Sequence, residues 1–163
     1  MGISLKKDEM VQFLDAAKTP EENFTIMLWG TVYAKASRFQ DRSGASEFMI
    51  DEGGTGVTSS LNDAFCYAGL TDRSLYVVAL DSYNTSKIIS TIRVPFEQIA
   101  KLNVRKAPFG ASYTAEVHFA EDYVGVTVKS TSLGTNIKDQ KERMNLFLTQ
   151  IEALQGSIPG SAG

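Results

Sequence analysis

The sequence predicts a mostly-β domain: about seven antiparallel strands closed by a C-terminal amphipathic helix, with an extra helix at the N-terminus. Three observations carry this. Apolar and polar residues alternate with a period of two through several segments. Those segments are short and are separated by turns rich in Asp, Asn, Ser, Gly and Pro. A long, clear stripe at helical spacing appears only toward the end of the chain, from about Asn136.

Ser4 is placed to cap the first helix, which runs through about Ala17 with Leu5, Met10, Val11, Phe13, Leu14 and Ala17 along one side. Thr19-Pro20-Glu21-Glu22 has the form of a capping box, but the residues after it do not sustain a helix, so a single turn is expected. From Phe24 to Lys35 the pattern becomes a long strand. Phe24, Ile26, Leu28, Val32 and Ala34 share one face, while Thr25, Met27, Trp29, Thr31, Tyr33 and Lys35 share the other. Met27, Trp29 and Tyr33 make that second face too apolar for open solvent; either the N-terminal helix or a second copy of the chain should cover it.

A long connection rich in Ser, Gly and Asp is expected over 36–63, with room for a short strand at Phe48-Met49-Ile50. Strands then come in close order: Ala64 to Leu70 and Leu75 to Leu80 as a hairpin, Ser86 to Val94 ended by Pro95, Ile99 to Lys106, Ser112 to Phe119, and Tyr123 to Lys129. On the last helix, Ile137, Met144, Phe147, Leu148, Ile151 and Leu154 form the stripe, with Asn136 placed to cap it and Gly156 to end it. Burying the large apolar side chains from Met144 onward contributes on the order of 7 to 15 kcal/mol before entropy. The helix should therefore be a structural part of the core. In domain terms, 1–22 is a helical segment packed on the domain, 23–156 the domain itself, and 157–163 a flexible tail.

Composition narrows the function. Hydrophobic residues at 43% and charged residues at 21% describe a chain that folds into a core, not a disordered one. A net charge of −3 gives no overall attraction to nucleic acid or anionic lipid. With Cys66 as the single cysteine there is no internal disulfide, which fits a cytoplasmic setting. No run approaches the ~18 apolar residues of a membrane span.

Two stretches, Gly69-Leu70-Thr71-Asp72-Arg73-Ser74-Leu75-Tyr76-Val77 and Ile92-Arg93-Val94-Pro95-Phe96-Glu97-Gln98-Ile99, resemble the strand-turn-strand and isoleucine-proline-isoleucine patterns of bacterial pleckstrin-homology-like (PH-like) domains. The resemblance spans about Phe24 to Leu154. It implies a bent antiparallel barrel plugged at one end by the C-terminal helix. The N-terminal helix and the connection over 36–63 depart from the family pattern. Eukaryotic relatives that bind phosphoinositides use basic residues at the end of the first strand, in its loop and at the start of the second strand. Lys35, Arg38 and Arg42 match the first part, whereas Phe65-Cys66-Tyr67-Ala68-Gly69 carries no basic residue. Asp41, Glu47, Asp51 and Glu52 also outnumber those three cations. At ~1 kcal/mol per basic residue beside an anionic surface, three give only ~3 kcal/mol, weaker than millimolar attachment.

The remaining motifs are bland. Lys87, Arg93, Lys101, Arg105 and Lys106 make the central strands basic, which on outward positions protects edges and keeps a protein soluble. His118 is the single histidine, on the polar face of its strand, and no cysteine cluster accompanies it to hold a metal. Cys66 reads as a small buried hydrophobe. Gly53-Gly54-Thr55-Gly56 lacks the Gly-Lys-Ser/Thr of a phosphate loop, and the acidic pairs Asp51-Glu52 and Glu121-Asp122 fall in expected turns. The expected function is thus a non-catalytic interaction module, self-associating through sheet edges or the Met27, Trp29 and Tyr33 face, with no cofactor, metal or nucleic acid. The alternative is an anionic lipid- or phosphate-binding module that makes peripheral membrane contact through Lys35, Arg38 and Arg42. An enzyme built on the long connection is a more distant third.

Overall fold

The structure, a computed structural model, describes residues 5–36, 59–81, 83–119, 122–130 and 135–158. The elements in chain order are α1 (Lys7–Ala17), β1 (Ile26–Ala36), β2 (Ser59–Leu70), β3 (Ser74–Leu80), β4 (Ile88–Pro95), β5 (Lys101–Lys106), β6 (Ser112–Phe119), β7 (Asp122–Lys129) and α2 (Gln140–Ser157). The seven strands form one antiparallel sheet in the order β4-β3-β2-β1-β7-β6-β5.

The sheet bends over its own core. Leu75, Val77, Ile92 and Val94 from β3 and β4 join one cluster with Leu102, Tyr113, Ala115 and Val117 from β5 and β6. It does not close into the expected barrel: β4 and β5 remain its two edges. Pro95 ends β4, and a side chain of α2 takes up the edge of β5, where Gln155 Nε2 donates to the Leu102 carbonyl at 2.8 Å. Gly30 on β1 lies close against the backbone of β7. A Cβ there would run into the Thr127 carbonyl of β7, so β1 and β7 can approach this closely only over a residue without a side chain.

Met144, Phe147 and Ile151 of α2 are buried against this core, with Leu148 and Leu154 packed partly into it. The helix starts at Gln140, later than its apolar stripe suggested, and Ile137 lies in a different cluster. Asn136 does not cap α2; its Oδ1 accepts from the Lys7 N–H at 2.7 Å, at the start of α1. Gly156 sits inside α2 without the positive φ of a helix-ending glycine, so the helix runs on to Ser157 and Ile158 is buried after it. The predicted tail therefore contributes to the fold at its first two residues.

A second cluster sits on the opposite side of the sheet, beneath α1. Leu5, Met10 and Leu14 pack on Trp29, Tyr67, Tyr76, Val78 and Leu80, with Ile137 joining them. Core on one side and α1 on the other leave every residue of β3 buried. Two buried tyrosines fix α1 by its flanks: the Tyr67 hydroxyl accepts from the Lys6 N–H at 3.0 Å and the Tyr76 hydroxyl from the Thr19 N–H at 3.1 Å. Ser4, the expected cap, and Phe48-Met49-Ile50 lie outside the described residues. β2 begins at Ser59, so Ser59 to Asp63 are strand and not part of the long connection.

The turn after α1 carries the most deeply buried carboxylate among the described residues. Glu22 is 1% exposed and accepts from Thr19 Oγ1 (2.8 Å), Thr71 Oγ1 (2.5 Å), the Tyr76 hydroxyl (3.1 Å) and Arg93 (2.6 Å). One side chain thus ties the segment before β1 to the β2–β3 turn, to β3 and to β4. Burial alone would push its carboxyl up. The hydrogen bonds from Thr71, Arg93 and Thr19 outweigh that and pull it from 4.5 to about 2.

Because the folded Glu22 carboxyl titrates below the unfolded one, its contribution is complete above pH 4.5 and is lost as pH falls toward 2. That contribution is on the order of 3 kcal/mol. Glu22→Gln should cost about 3 kcal/mol at neutral pH by removing the buried carboxylate that pairs with Arg93, and should flatten the acid limb in urea titrations. Wild-type stability in that variant at neutral pH contradicts the role. Gly30→Ala should cost roughly 3 kcal/mol, the upper end for overpacking, because the atoms in the way are backbone; an unchanged thermal midpoint would show that the sheet relaxes there.

Candidate interaction surface

α1 covers only half of the outer surface of the sheet. Met27 and Trp29 of β1 and outward residues of β2 and β3 lie under it, whereas no helix packs on the outward residues of β5, β6 and β7 among the described residues. Strand register arranges that second half in rows, because directly opposed residues in antiparallel strands point the same way. Lys35, Tyr123, His118 and Lys101 form one row across β1, β7, β6 and β5. Tyr33, Gly125, Glu116 and Asn103 form the next, and Thr31, Thr127, Thr114 and Arg105 the third.

The centre of this face is an ordered network and not a set of free polar tips. The Tyr33 hydroxyl donates to Glu116 Oε2 at 2.6 Å and accepts from Arg105 at 3.0 Å. His118 Nε2 lies 2.8 Å from Glu116 Oε1, and the Tyr123 ring is edge-on to Tyr33 and tilted against His118. Gly125 makes this possible: the Tyr33 ring lies across β7 in the space a Cβ at that position would fill. Burial pushes the Glu116 carboxyl up, but hydrogen bonds from Tyr33 and His118, with the charges of His118 and Arg105, hold it below its ordinary range. Burial and the neighbouring Glu116 raise the Tyr33 phenol. All these groups are partly exposed, so the face presents aromatic and charged groups already held in place.

At the turn joining β5 to β6, Phe109 is fully exposed with φ 65°, an unusual conformation for a bulky residue. A cleft of about 360 Å³ lies elsewhere, lined by Asp72, Arg73, Arg93, Pro95, Phe96 and Glu97. Its cations are matched within the chain: Arg93 pairs with Glu22 at 2.6 Å and Arg73 with Asp72 at 3.8 Å.

The sequence-predicted residues separate on this surface. Trp29, expected at an interface, is 4% exposed beneath α1; the helix supplies the cover its apolar face required. Met27 packs partly into the same cluster, and its carbonyl accepts from Arg143 at 3.0 Å. Tyr33, two outward positions beyond Trp29 on the same strand, escapes the helix and belongs to the network above. Lys35 is exposed beside Tyr123. Arg38 and Arg42 lie outside the described residues. Cys66 is fully buried, and burial pushes its thiol up. Among the described residues no three His, Cys, Asp or Glu side chains converge as metal ligands.

Sequence reasoning did not single out Glu116 and Tyr123 as site residues, although the alternation of β6 and the hairpin register that sets His118 against Tyr123 both point to them.

No protein-family model matches the chain, and no curated protein matches it. Among solved structures, the hSac2 domain from the human phosphoinositide phosphatase Sac2 is similar at a TM-score of 0.47 and 13% sequence identity, over 93% of this chain and 83% of that one. No helix among the described residues is long and apolar enough to cross a membrane.

Tyr33→Phe removes one donor to Glu116 and should move that carboxyl up toward its ordinary range, read by carboxyl-carbon NMR titration. An unmoved titration would take Tyr33 out of the network.

Proposed function

We propose that the protein is a non-catalytic interaction module of PH-like fold whose binding surface is the outer face of β1, β7, β6 and β5. The observation that carries this reading is the network of Tyr33, Glu116, His118, Tyr123 and Arg105 on the half of the sheet that α1 leaves uncovered. Tyrosine and arginine dominate protein interfaces because they offer large contact area and directional hydrogen bonds. Here they are held before any partner arrives, which lowers the entropy lost on binding. The exposed Phe109 supports the same reading, as an apolar group at the turn between two strands of that face. The Trp29 surface, by contrast, is already occupied by α1.

Site-specific photo-cross-linking in cells tests the surface. A benzophenone amino acid at Asn103, on the proposed face, should give discrete adducts that the same group at Gln12, on the exposed side of α1, does not. An adduct of twice the chain mass makes the partner a second copy; another discrete mass makes it a different protein. Equal labelling from both positions, or none from Asn103, rules the face out.

A further inference from the structure

We infer that the occupant of this face is an extended acidic segment of a protein, an inference that rests on the surface proposed above. Its charge is the first argument. Lys35, Lys101, Arg105 and Lys129 point outward on these strands against Glu116 alone among the described side chains, an excess of three positive charges on a chain whose net charge is −3. Glu116 is itself engaged by Tyr33, His118 and Arg105, so little of its charge faces outward. Lys35, Lys101 and Lys129 have no ion-pair partner among the described residues. Two such faces would repel each other, which sets a second copy of the chain aside as the occupant.

Spacing is the second argument. Lys35 and Lys101 end a row that crosses three strand gaps, about 14 Å at the usual strand separation. An extended chain rises about 3.3 Å per residue, so acidic side chains at every second position of a five-residue stretch span the same distance. The outer two carboxylates then meet the two lysines, and the middle one meets the His118 and Tyr123 pair. Charge in this face is set out by strand register, in a line that suits an extended polypeptide. A bilayer would gain from the same cations only about millimolar attachment.

The test is an amide NMR titration of the full chain with a synthetic peptide of alternating glutamate and serine, beside a lysine-serine control. The expected result is shifts of Lys35, Tyr123, His118 and Lys101 with the glutamate peptide alone, weakening as salt is raised. Lys35→Glu/Lys101→Glu, at two exposed positions, should bind that peptide about tenfold more weakly while its spectrum stays folded. Shifts that map elsewhere, no shifts, or equal binding by the double variant overturn the acidic segment. Mixed phosphatidylcholine–phosphatidylserine vesicles that sediment the wild-type chain but not the double variant, with the peptide silent, assign the face to a membrane and also overturn it. Cross-links from Asn103 with a silent peptide would keep the interface and remove only its acidic occupant, so the two readings fail separately.

Discussion

Everything in this fold depends on β1 being apolar on both faces. Ile26, Leu28, Val32 and Ala34 enter the core enclosed by the bent sheet, while Trp29 and Met27 on the reverse side enter the cluster under α1. A strand of this kind is stable only if two separate bodies cover it, so its position at the centre of the sheet and the presence of α1 are one constraint seen twice. Gly30 lies between the two sets of residues, and the close approach of β7 over it lets the second half of the sheet fold back across the core.

Covering both faces at one end makes that end rigid. The hydroxyls of Tyr67 and Tyr76 hold the backbone on either side of α1, and Glu22 collects four donors from segments far apart in the chain, Arg93 among them at a separation of 71 residues. A buried carboxylate is tolerable only when its charge is met this completely. Its partners come from the β2–β3 turn and β4, so the network also locks the register of the sheet's first half to the N-terminal segment. The matched charges of the neighbouring cleft fit this structural role.

The architecture was legible because its signals are local. The alternation in Ser112 to Phe119 became a strand with the same bounds and the same buried residues, Tyr113, Ala115, Val117 and Phe119. The cover for Trp29 was legible too, as a requirement of the pattern. Long-range hydrogen bonding was not. Thr19 and Glu22 read as a local capping box, and nothing near them in the chain announces Thr71, Tyr76 or Arg93. Asn136 read as a cap for the helix after it, yet it caps the helix at the other end of the chain. Side-chain donors and acceptors take whichever partner the fold brings near, so spacing rules locate the residue type but not its partner. The candidate surface lies between these cases: Lys101, Arg105 and His118 were visible as outward groups, but their union with Tyr33 and Lys35 depends on β1 pairing with β7, a contact between the two ends of the sheet sequence.

That pairing also explains why the two halves of the outer surface differ. Trp29 and Tyr33 lie on the same side of the same strand, and α1 covers the first but not the second. Under the helix, tyrosine hydroxyls serve the backbone of α1 and the Glu22 cluster, and aromatic rings serve the core. Beyond it, the same residue types on a continuous sheet have only one another and solvent, so Tyr33, Tyr123, His118 and Glu116 form a network whose outer side is unoccupied by the described residues. Four cations point outward on this uncovered half against one carboxylate among the described residues, although the chain as a whole is acidic. A face kept only for solubility needs charge but not fixed aromatic rings, and Gly125 is the backbone feature that lets the Tyr33 ring lie flat and fixed there. On the reading proposed above, a partner would meet charge and rings that are already held in place, and less ordering would be lost on binding.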